Sequence, residues 1–243
     1  MNKPEFLSFK DWELLKEKYP KTIEEILVKI KSGYPVQYLI GNVYFYNSLI
    51  NVSENVLIPR PETEYLVEKT IDYAKQRFNH KINIIDLGTG SGCIAIALKK
   101  ELDSEVSAID ISKDALELAK LNALENNVDI NFYEKDIAKP LENMYDIIIS
   151  NPPYIPRNGY VAENVLKYEP HIALFADEEG IYFYKKIIKN NLSKLNKNGF
   201  MAFEIGDNED KLLEEFLKEE GITNYKFEYD LTNRIRYLFI FNE

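Results

Sequence analysis

This chain of 243 residues has only one cysteine, and it lacks long apolar runs and an excess of basic charge. Its one cysteine, Cys93, excludes an intramolecular disulfide framework and favours a reducing, cytoplasmic setting. Charged residues from Lys3 onwards leave no apolar stretch of signal-peptide length, and no other run reaches the roughly 20 residues of a spanning helix. We therefore expect a protein that is neither exported nor embedded in a membrane.

The charge balance argues against nucleic acid as a direct partner. The net charge is −10, so the surface as a whole repels phosphates, although a local basic patch remains compatible with this composition. The 17 tyrosines and 13 phenylalanines are spread along the chain, as is typical of core and half-buried strand residues. Neither feature indicates a surface for base stacking, and no membrane partner is expected.

The chain divides into a helical appendage, a linker and a main domain. Residues 1–34 predict a short helical segment, because apolar residues recur there at helical spacing. Residues 35–60 predict a linker with a β-hairpin that turns at Asn47 and Ser48. Residues 61–243 form the predicted main domain, which opens with a helix that has a proline at its first position.

Strands alternate with helices from residue 81 onwards, and this alternation predicts a parallel sheet. The last two strands are joined by a short polar turn that cannot hold a helical crossover, so they are predicted to be antiparallel. The fold class is therefore α/β, with a seven-stranded, doubly wound, Rossmann-like sheet that ends in an antiparallel C-terminal hairpin. Strands are predicted over residues 82–87, 106–110, 130–133, 145–150, 200–205, 225–230 and 235–241, and helices over 61–78, 91–100, 112–126, 179–195 and 208–219.

A glycine-rich turn after the first of these strands is the clearest sign of a ligand site. Its glycines let a ligand approach the backbone, and its N–H groups at the start of a helix are free. Cys93 stands where the dinucleotide-binding fingerprint has its third glycine, and no Gly-Lys-Ser or Gly-Lys-Thr follows as in a P-loop. The turn comprises Asp86, Gly88, Thr89, Gly90, Ser91 and Gly92, with Leu87 between the first two.

Two aspartates follow the next two strands. Asp110 ends the second strand, where its carboxylate can accept hydrogen bonds from both hydroxyls of a ribose. An uncharged adenosine that carries a sulfonium suits this position. Asp136 follows the third strand and is the corresponding candidate for an adenine amino group. Each aspartate has an alternative role as a turn or helix-capping residue.

The fourth strand runs directly into Asn151, Pro152, Pro153 and Tyr154. The prolines carry no N–H group for a sheet ladder, so the chain must turn at the carboxyl edge. The side-chain oxygen of Asn151 and the backbone carbonyl of Pro152 can each accept one N–H of a planar NH₂ group, on which Tyr154 can stack. Such a nitrogen is a poor nucleophile, so positioning must activate it. In isolation, the same four residues are also compatible with an ordinary proline-rich turn.

With these motifs, the chain resembles the HemK/PrmC family of release factor glutamine methyltransferases from about residue 35 to its end. The resemblance implies the class I methyltransferase fold, S-adenosyl-L-methionine as methyl donor, and an enzyme. It also implies a substrate, the glutamine of the Gly-Gly-Gln motif in class 1 peptide chain release factors. The matching segments are residues 35–38, 57–64, 86–93, 150–155, 168–170 and 204–206.

The resemblance carries roles over to particular residues. It places the donor at Asp86, Gly88, Thr89, Gly90, Ser91, Gly92, Asp110, Asp136, Ile137 and Asn151. It assigns the glutamine amide and the catalysis to Asn151, Pro152, Pro153 and Tyr154. Arg60 and Glu62 either shape the acceptor pocket or only begin the helix that follows them. No metal site is predicted.

This chain departs from the family pattern at three places. Ile137 stands where an aromatic residue often follows the aspartate, Asp207 and Asn208 replace a glutamine after residues 204–206, and the segment before Pro35 is shorter than usual. Three alternative functions stay open: a methyltransferase for a ribosomal protein glutamine, an amino methyltransferase for adenine or guanine in nucleic acid, and a non-catalytic binding module. The second would need a basic groove.

Overall fold

The computed structural model describes residues 3–243, which contain nine α-helices and eleven β-strands. The helices are α1 (Phe9–Lys18), α2 (Ile23–Lys31), α3 (Val36–Ile40), α4 (Pro61–Arg77), α5 (Cys93–Glu101), α6 (Lys113–Glu125), α7 (Glu163–Tyr168), α8 (Tyr182–Asn191) and α9 (Glu209–Glu219). The strands are β1 (Asn42–Phe45), β2 (Ser48–Asn51), β3 (Ile82–Leu87), β4 (Ser104–Asp110), β5 (Asn131–Glu134), β6 (Tyr145–Ser150), β7 (Ile155–Pro156), β8 (Phe175–Ala176), β9 (Leu195–Glu204), β10 (Tyr225–Tyr229) and β11 (Ile235–Phe241).

Seven strands form the main sheet in the order β10-β11-β9-β6-β3-β4-β5. The five strands from β9 to β5 are parallel, and β11 lies antiparallel between β9 and β10. The predicted seven-stranded, doubly wound sheet with an antiparallel hairpin is therefore confirmed. From β3 the chain moves outward through β4 and β5 and then returns to β6 on the other side of β3. Open α/β sheets bind ligands at such a switch point, outside the carboxyl ends of the strands.

The sheet is covered on both faces, which explains why its central strands are apolar throughout. Successive residues of a strand point to opposite faces. In β6, Ile147 and Ile149 pack in one core cluster with Leu66 of α4, whereas Ile148 packs in another with Ile187 of α8. All five side chains are fully buried. This burial fixes the register of β6, and with it the place where its polar end emerges.

A smaller apolar cluster joins the three N-terminal helices. It contains Trp12 and Leu15 of α1, Ile26 of α2 and Leu39 of α3. The oxygen of Ser8 accepts a hydrogen bond from a backbone N–H in the first turn of α1 and so caps that helix. The predicted helical character of this segment is confirmed by α1 and α2, while the division of the chain at residues 34 and 60 stays a prediction.

The hairpin turns one residue earlier than predicted. Phe45 pairs with Ser48, so the two residues of the turn are Tyr46 and Asn47. Ser48 lies in the strand because its side chain is buried beside β1. The positive φ of 53° at Tyr46 completes the tight turn.

The helix predicted over residues 179–195 is shorter in the structure. It begins only at Tyr182, because Glu179 and Gly180 have positive φ angles of 55° and 99° that no α-helix accommodates. The elements α3 and α7 and the β7–β8 pair were not predicted, since segments this short show little periodicity. Within residues 3–243, no helix combines the length and the apolar character needed to cross a bilayer.

Candidate active site

Four neighbouring strands of the main sheet end at the same level. The residues paired across β4, β3, β6 and β9 are Ile109, Leu87, Ser150 and Phe203. The next residues in the four strands, which we call the edge row, are Asp110, Gly88, Asn151 and Glu204. Neighbouring strands lie about 4.8 Å apart, so the register alone brings these four residues together at the carboxyl edge.

A cavity of about 360 Å³ opens at the edge row. Its size is that of a pocket for a small ligand. The predicted site residues that line it are Arg60, Gly88, Thr89, Gly90, Ser91, Asp110, Asp136, Ile137, Asn151 and Pro153. Those that do not line it are Glu62, Asp86, Gly92, Pro152 and Tyr154. The structure thus brings most of the predicted donor and acceptor residues to one cavity.

The shape of the glycine turn depends on the backbone conformation of Gly90 and on a buried hydrogen bond between Thr89 and Asp86. Gly90 has a φ of 52°, and a Cβ atom placed there would meet nothing within 4 Å, so it borders open space. Thr89 Oγ1 donates to Asp86 Oδ2 at 2.6 Å. Burial raises the pKa of Asp86 to about 7. Asp86 therefore supports the turn from below instead of lining the cavity.

Asp110 joins the glycine turn to the residue that precedes α6. Its Oδ2 accepts from Gly90 N, and its Oδ1 accepts from Ser112 N, each at 2.9 Å. The capping of α6 belongs to Ser112, whose Oγ accepts from Ala115 N at 3.2 Å. Each carboxylate oxygen keeps a further lone pair for a ligand. Asp136 holds its own turn at the cavity wall, where Oδ1 accepts from Ala138 N at 2.8 Å.

Asn151 is oriented by a short chain of buried hydrogen bonds. Its Nδ2 donates to Thr63 Oγ1 at 3.2 Å, and Thr63 Oγ1 in turn donates to Glu204 Oε2 at 2.6 Å. Burial raises the pKa of Glu204 to about 7, against the opposing effect of the Thr63 hydroxyl. Because the amide nitrogen is bound within the protein, Oδ1 is the atom of Asn151 that is left to accept a hydrogen bond from a ligand.

Tyr154 lies beside the edge row with two glycines packed against it. A Cβ atom on Gly206 would lie 3.0 Å from Tyr154 Cδ2, and one on Gly180 would lie 2.3 Å from the Tyr154 carbonyl oxygen. Glu209 Oε2 accepts from Gly206 N at 2.7 Å and so fixes the same loop. Burial raises the pKa of the Tyr154 phenol, which therefore stays neutral near pH 7. Only glycine fits at Gly180 while this tyrosine keeps its place, and a side chain at Gly206 would crowd the tyrosine ring.

Arg60 and Glu62 lie in different places, although only one residue separates them. Arg60 lines the cavity and donates from Nη2 to Glu169 Oε1 at 2.6 Å. Glu62 is exposed at the start of α4, where its backbone oxygen accepts from Tyr237 Oη at 2.8 Å. Arg60 therefore combines a place at the cavity with a structural ion pair, and the Glu62 side chain lies outside the cavity lining.

Thr63 and Glu204 are the site residues to which the sequence assigned no role. The sequence did contain a signal for Glu204, because a carboxylate that directly follows a buried apolar strand is rarely fully buried without a partner. No comparable signal pointed to Thr63, which lies between two glutamates at the start of a helix. The cavity wall also contains Pro170, Ile172 and Ala173, which follow α7, and Tyr182 and Phe183 of α8.

The order of the sheet, its antiparallel last strand and a glycine turn beside an acidic strand end define a class I methyltransferase. Residues 63–171 match the family model described as the methyltransferase small domain. The human methyltransferase 10 domain containing protein shares this fold with a TM-score of 0.60 at 18% identity, over 97% of this chain and 99% of that chain.

Two curated relatives are similar over most of their length. The release factor glutamine methyltransferase of Flavobacterium psychrophilum is 43% identical over 86% of this chain and 75% of the relative. That of Streptococcus pneumoniae is 40% identical over 88% of this chain and 78% of the relative. The chain belongs to the family of release factor glutamine methyltransferases, as its motifs predicted.

Proposed function

We propose that this chain methylates the side-chain amide nitrogen of the glutamine in the Gly-Gly-Gln motif of class 1 peptide chain release factors. The observation that carries the proposal is the orientation of Asn151, whose nitrogen is bound to Thr63 and whose oxygen is left as an acceptor at the cavity. The proposed second acceptor is the backbone carbonyl of the next residue, Pro152, which does not itself line the cavity. Because release factors work on cytoplasmic ribosomes, the proposal also implies a cytoplasmic enzyme.

S-adenosyl-L-methionine fits the residues at the donor end of the cavity. The Asp110 carboxylate can accept from ribose hydroxyls, and Gly90 leaves room for a ligand against the backbone. Ile137 and Ile111 add apolar walls suited to a planar base. When bound, this donor supplies a methyl group on a positively charged sulfur. The chain's own residues would then hold the donor and align the acceptor.

The residues proposed for the acceptor address the main difficulty of the reaction, which is the low reactivity of an amide nitrogen. The lone pair of an amide nitrogen is delocalised, so the nitrogen attacks poorly unless it is held in line with the methyl group. Acceptors at Asn151 Oδ1 and the Pro152 carbonyl would each bind one N–H, while Tyr154 packs beside the amide plane. Transfer of the donor's methyl group to the held nitrogen would leave an extra proton on that nitrogen, which the amide would then release. No dedicated base is needed, because the protonated product is strongly acidic.

Methyl transfer to alternative acceptors tests the proposal. The purified protein is incubated with radiolabelled donor and one of three acceptors: a class 1 release factor, the same factor with the motif glutamine changed to alanine, or single-stranded DNA and RNA. We expect label only in the release factor that keeps the motif glutamine. Equal label in the alanine variant would refute the glutamine as the site, and label in nucleic acid would favour an amino group of a base. A ribosomal protein fraction serves as the rival protein acceptor.

A further inference from the structure

Thr63 joins Asn151 to Glu204 through a single hydroxyl group. Its Oγ1 donates to Glu204 Oε2 at 2.6 Å and accepts from Asn151 Nδ2 at 3.2 Å. A hydroxyl group carries one proton. Because Thr63 donates that proton to the Glu204 carboxylate, only the lone pairs of the hydroxyl remain for the Asn151 amide. Asn151 must then turn its NH₂ group towards Thr63 and its oxygen away from it.

We propose that Glu204 is a positioning residue for methyl transfer and acts through Thr63 to hold the Asn151 oxygen towards the acceptor nitrogen. The inference rests on the proposed function, which requires Asn151 to accept a hydrogen bond from the glutamine amide. With the amide reversed, Asn151 would present an NH₂ group to another NH₂ group, and neither could accept. Glu204 itself does not line the cavity, whereas Thr63 and Asn151 do.

Burial shields the hydrogen bonds that orient Asn151, and a hydrogen bond from the Asn151 amide, like that from Thr63, also lowers the pKa of Glu204. Thr63 is 3% exposed and Glu204 is 1% exposed, so bulk water cannot replace either partner. A buried polar group that loses its partner is destabilising, which disfavours the reversed amide as long as the carboxylate is ionised. The chain of hydrogen bonds therefore works as a fixed support for Asn151.

Only the ionised form of Glu204 enforces this orientation. A protonated Glu204 can donate its own O–H to Thr63, which frees the Thr63 proton to turn towards the Asn151 oxygen. Burial raises the pKa of Glu204 to about 7, while the Thr63 hydroxyl and the charge of Arg236 oppose the rise. The change between the two arrangements is thus expected near neutral pH, with the productive arrangement above it.

Five of the six titratable or charged groups that surround Glu204 keep one protonation state near pH 7. The titratable and charged groups that face it are Glu62 of α4, Cys93 of α5, Tyr154 after β6, Tyr184 of α8, and Arg236 and Tyr237 of β11. Burial raises the pKa of the cysteine and of the three tyrosines, so these four stay neutral near pH 7. The pKa of Arg236 is raised because the surrounding carboxylates, Asp207 first, outweigh its burial.

Replacing Thr63 separates a positioning role from a packing role. Thr63→Val keeps the shape and removes the hydroxyl, whereas Thr63→Ser keeps the hydroxyl. We expect Thr63→Val to lower kcat by about 10- to 100-fold at unchanged donor affinity, and Thr63→Ser to stay within about 3-fold of the parent protein. Thermal unfolding checks that both variants fold. A Thr63→Val protein with the parent kcat, or a Thr63→Ser protein as slow as Thr63→Val, would overturn the proposal.

The pH profile of kcat, at saturating donor and release factor, tests the carboxylate directly. We expect kcat to rise through a midpoint near pH 7 in the parent protein and to lose this rise in Glu204→Gln, whose amide does not titrate. Glu209→Gln is the matched control, because burial also raises the pKa of Glu209 to about 7 but its carboxylate binds Gly206 N. That variant should keep the midpoint. A midpoint that survives in Glu204→Gln and vanishes in Glu209→Gln would overturn the proposal.

The side-chain amide resonances of Asn151, followed by NMR against pH without any acceptor, separate this inference from the proposed function. We expect them to shift with a midpoint near pH 7 in the parent protein and to stay constant in Glu204→Gln. A shift of this kind, together with an unmodified release factor, would support the positioning role and refute the proposed substrate. If the release factor is methylated but the Asn151 resonances show the same pH dependence in Glu204→Gln as in the parent protein, the positioning role alone would be refuted.

Discussion

Arg60 at the cavity wall forms an ion pair with Glu169, whose Oε1 lies 2.6 Å from Arg60 Nη2. The other oxygen of Glu169 accepts from Ile58 N at 3.2 Å. This buried carboxylate at the end of α7 therefore fixes the segment that precedes α4. Glu169 is 5% exposed. Pro170, which follows it, lines the same cavity as Arg60. The shape of the acceptor end therefore depends on this pair.

Removing the arginine should destabilise the fold. Arg60→Met leaves the Glu169 carboxylate buried with only one donor, and we predict a loss of about 2 kcal/mol in the free energy of unfolding, measured with urea. The loss stays below that of a fully buried pair because Arg60 is partly exposed. The double variant Arg60→Met with Glu169→Gln should recover at least half of it.

An exposed ion pair elsewhere in the chain provides the control. Arg157 and Asp177 also form an ion pair, but both side chains are mostly exposed. Arg157→Met should leave the urea midpoint unchanged within error, since exposed pairs contribute little. If Arg60→Met were as harmless as Arg157→Met, the Glu169 carboxylate would not be holding the cavity wall.

Asn151→Ala should abolish methyl transfer and leave donor binding intact. The change removes an acceptor for the substrate amide, and we predict a fall in kcat of at least about 10²-fold. Isothermal titration with S-adenosyl-L-methionine measures the donor affinity separately. Asp110→Ala is the matched control and should do the reverse, because the proposed function assigns the ribose of the donor to Asp110. Weak donor binding in Asn151→Ala would mean that this residue serves the donor.

Gly180→Ala should displace Tyr154. The added Cβ would lie 2.3 Å from the Tyr154 carbonyl oxygen, at a backbone φ of 99°. Gly221→Ala is the matched control, because Gly221 also has a positive φ, of 70°, but a Cβ there meets nothing within 4 Å. We predict a loss of about 1 kcal/mol for Gly221→Ala from backbone strain alone and at least about 2 kcal/mol more for Gly180→Ala. Equal losses in the two variants, measured by thermal unfolding, would show that the loop yields without cost.

Stability should decrease as the pH rises towards neutral. Burial raises the pKa of Glu204 to about 7 in the folded protein, above its ordinary value, so the folded state holds this proton while the unfolded state releases it. The stabilising contribution is complete below the ordinary pKa and is lost as the pH rises through 7. We predict that Glu204→Gln becomes more stable relative to the parent protein by about 2 kcal/mol between about pH 5 and about pH 8.

An exposed carboxylate is the control for this trend. Lys81 lowers the pKa of Glu105 through a hydrogen bond, so Glu105→Gln should not gain stability over the same pH range. A flat difference between Glu204→Gln and the parent protein would contradict a raised pKa at Glu204. If both the stability trend and the kcat midpoint are observed, ionised Glu204 would lower stability while supporting the reaction.

Much of the fold follows from the sequence because its signals are local and strong. The apolar runs that became β3 and β6 are buried on both faces, and their ends are fixed by Gly88 and Pro152. The short polar turn before β11 was enough to predict its direction. The short helix α3 and the β7–β8 pair depend on tertiary contacts instead, and their few residues show no period of their own.

The candidate site likewise contains residues that the sequence predicted and contacts that it did not. Gly88, Asp110 and Asn151 could be predicted because each directly follows a recognisable strand. The hydrogen bond from Thr63 to Glu204 joins residues 141 positions apart, and no spacing in the sequence indicates it. The pairing of Arg60 with Glu169, 109 positions apart, was hidden for the same reason.

Tandem mass spectrometry of the Gly-Gly-Gln peptide tests the central claim most directly. The purified protein is incubated with S-adenosyl-L-methionine and a class 1 release factor, and the fragments locate any added methyl group. We predict one methyl group on the side-chain nitrogen of the motif glutamine, absent when Asn151→Ala replaces the parent protein. A release factor that stays unmodified, with donor binding to the same preparation confirmed by titration, would contradict the claim.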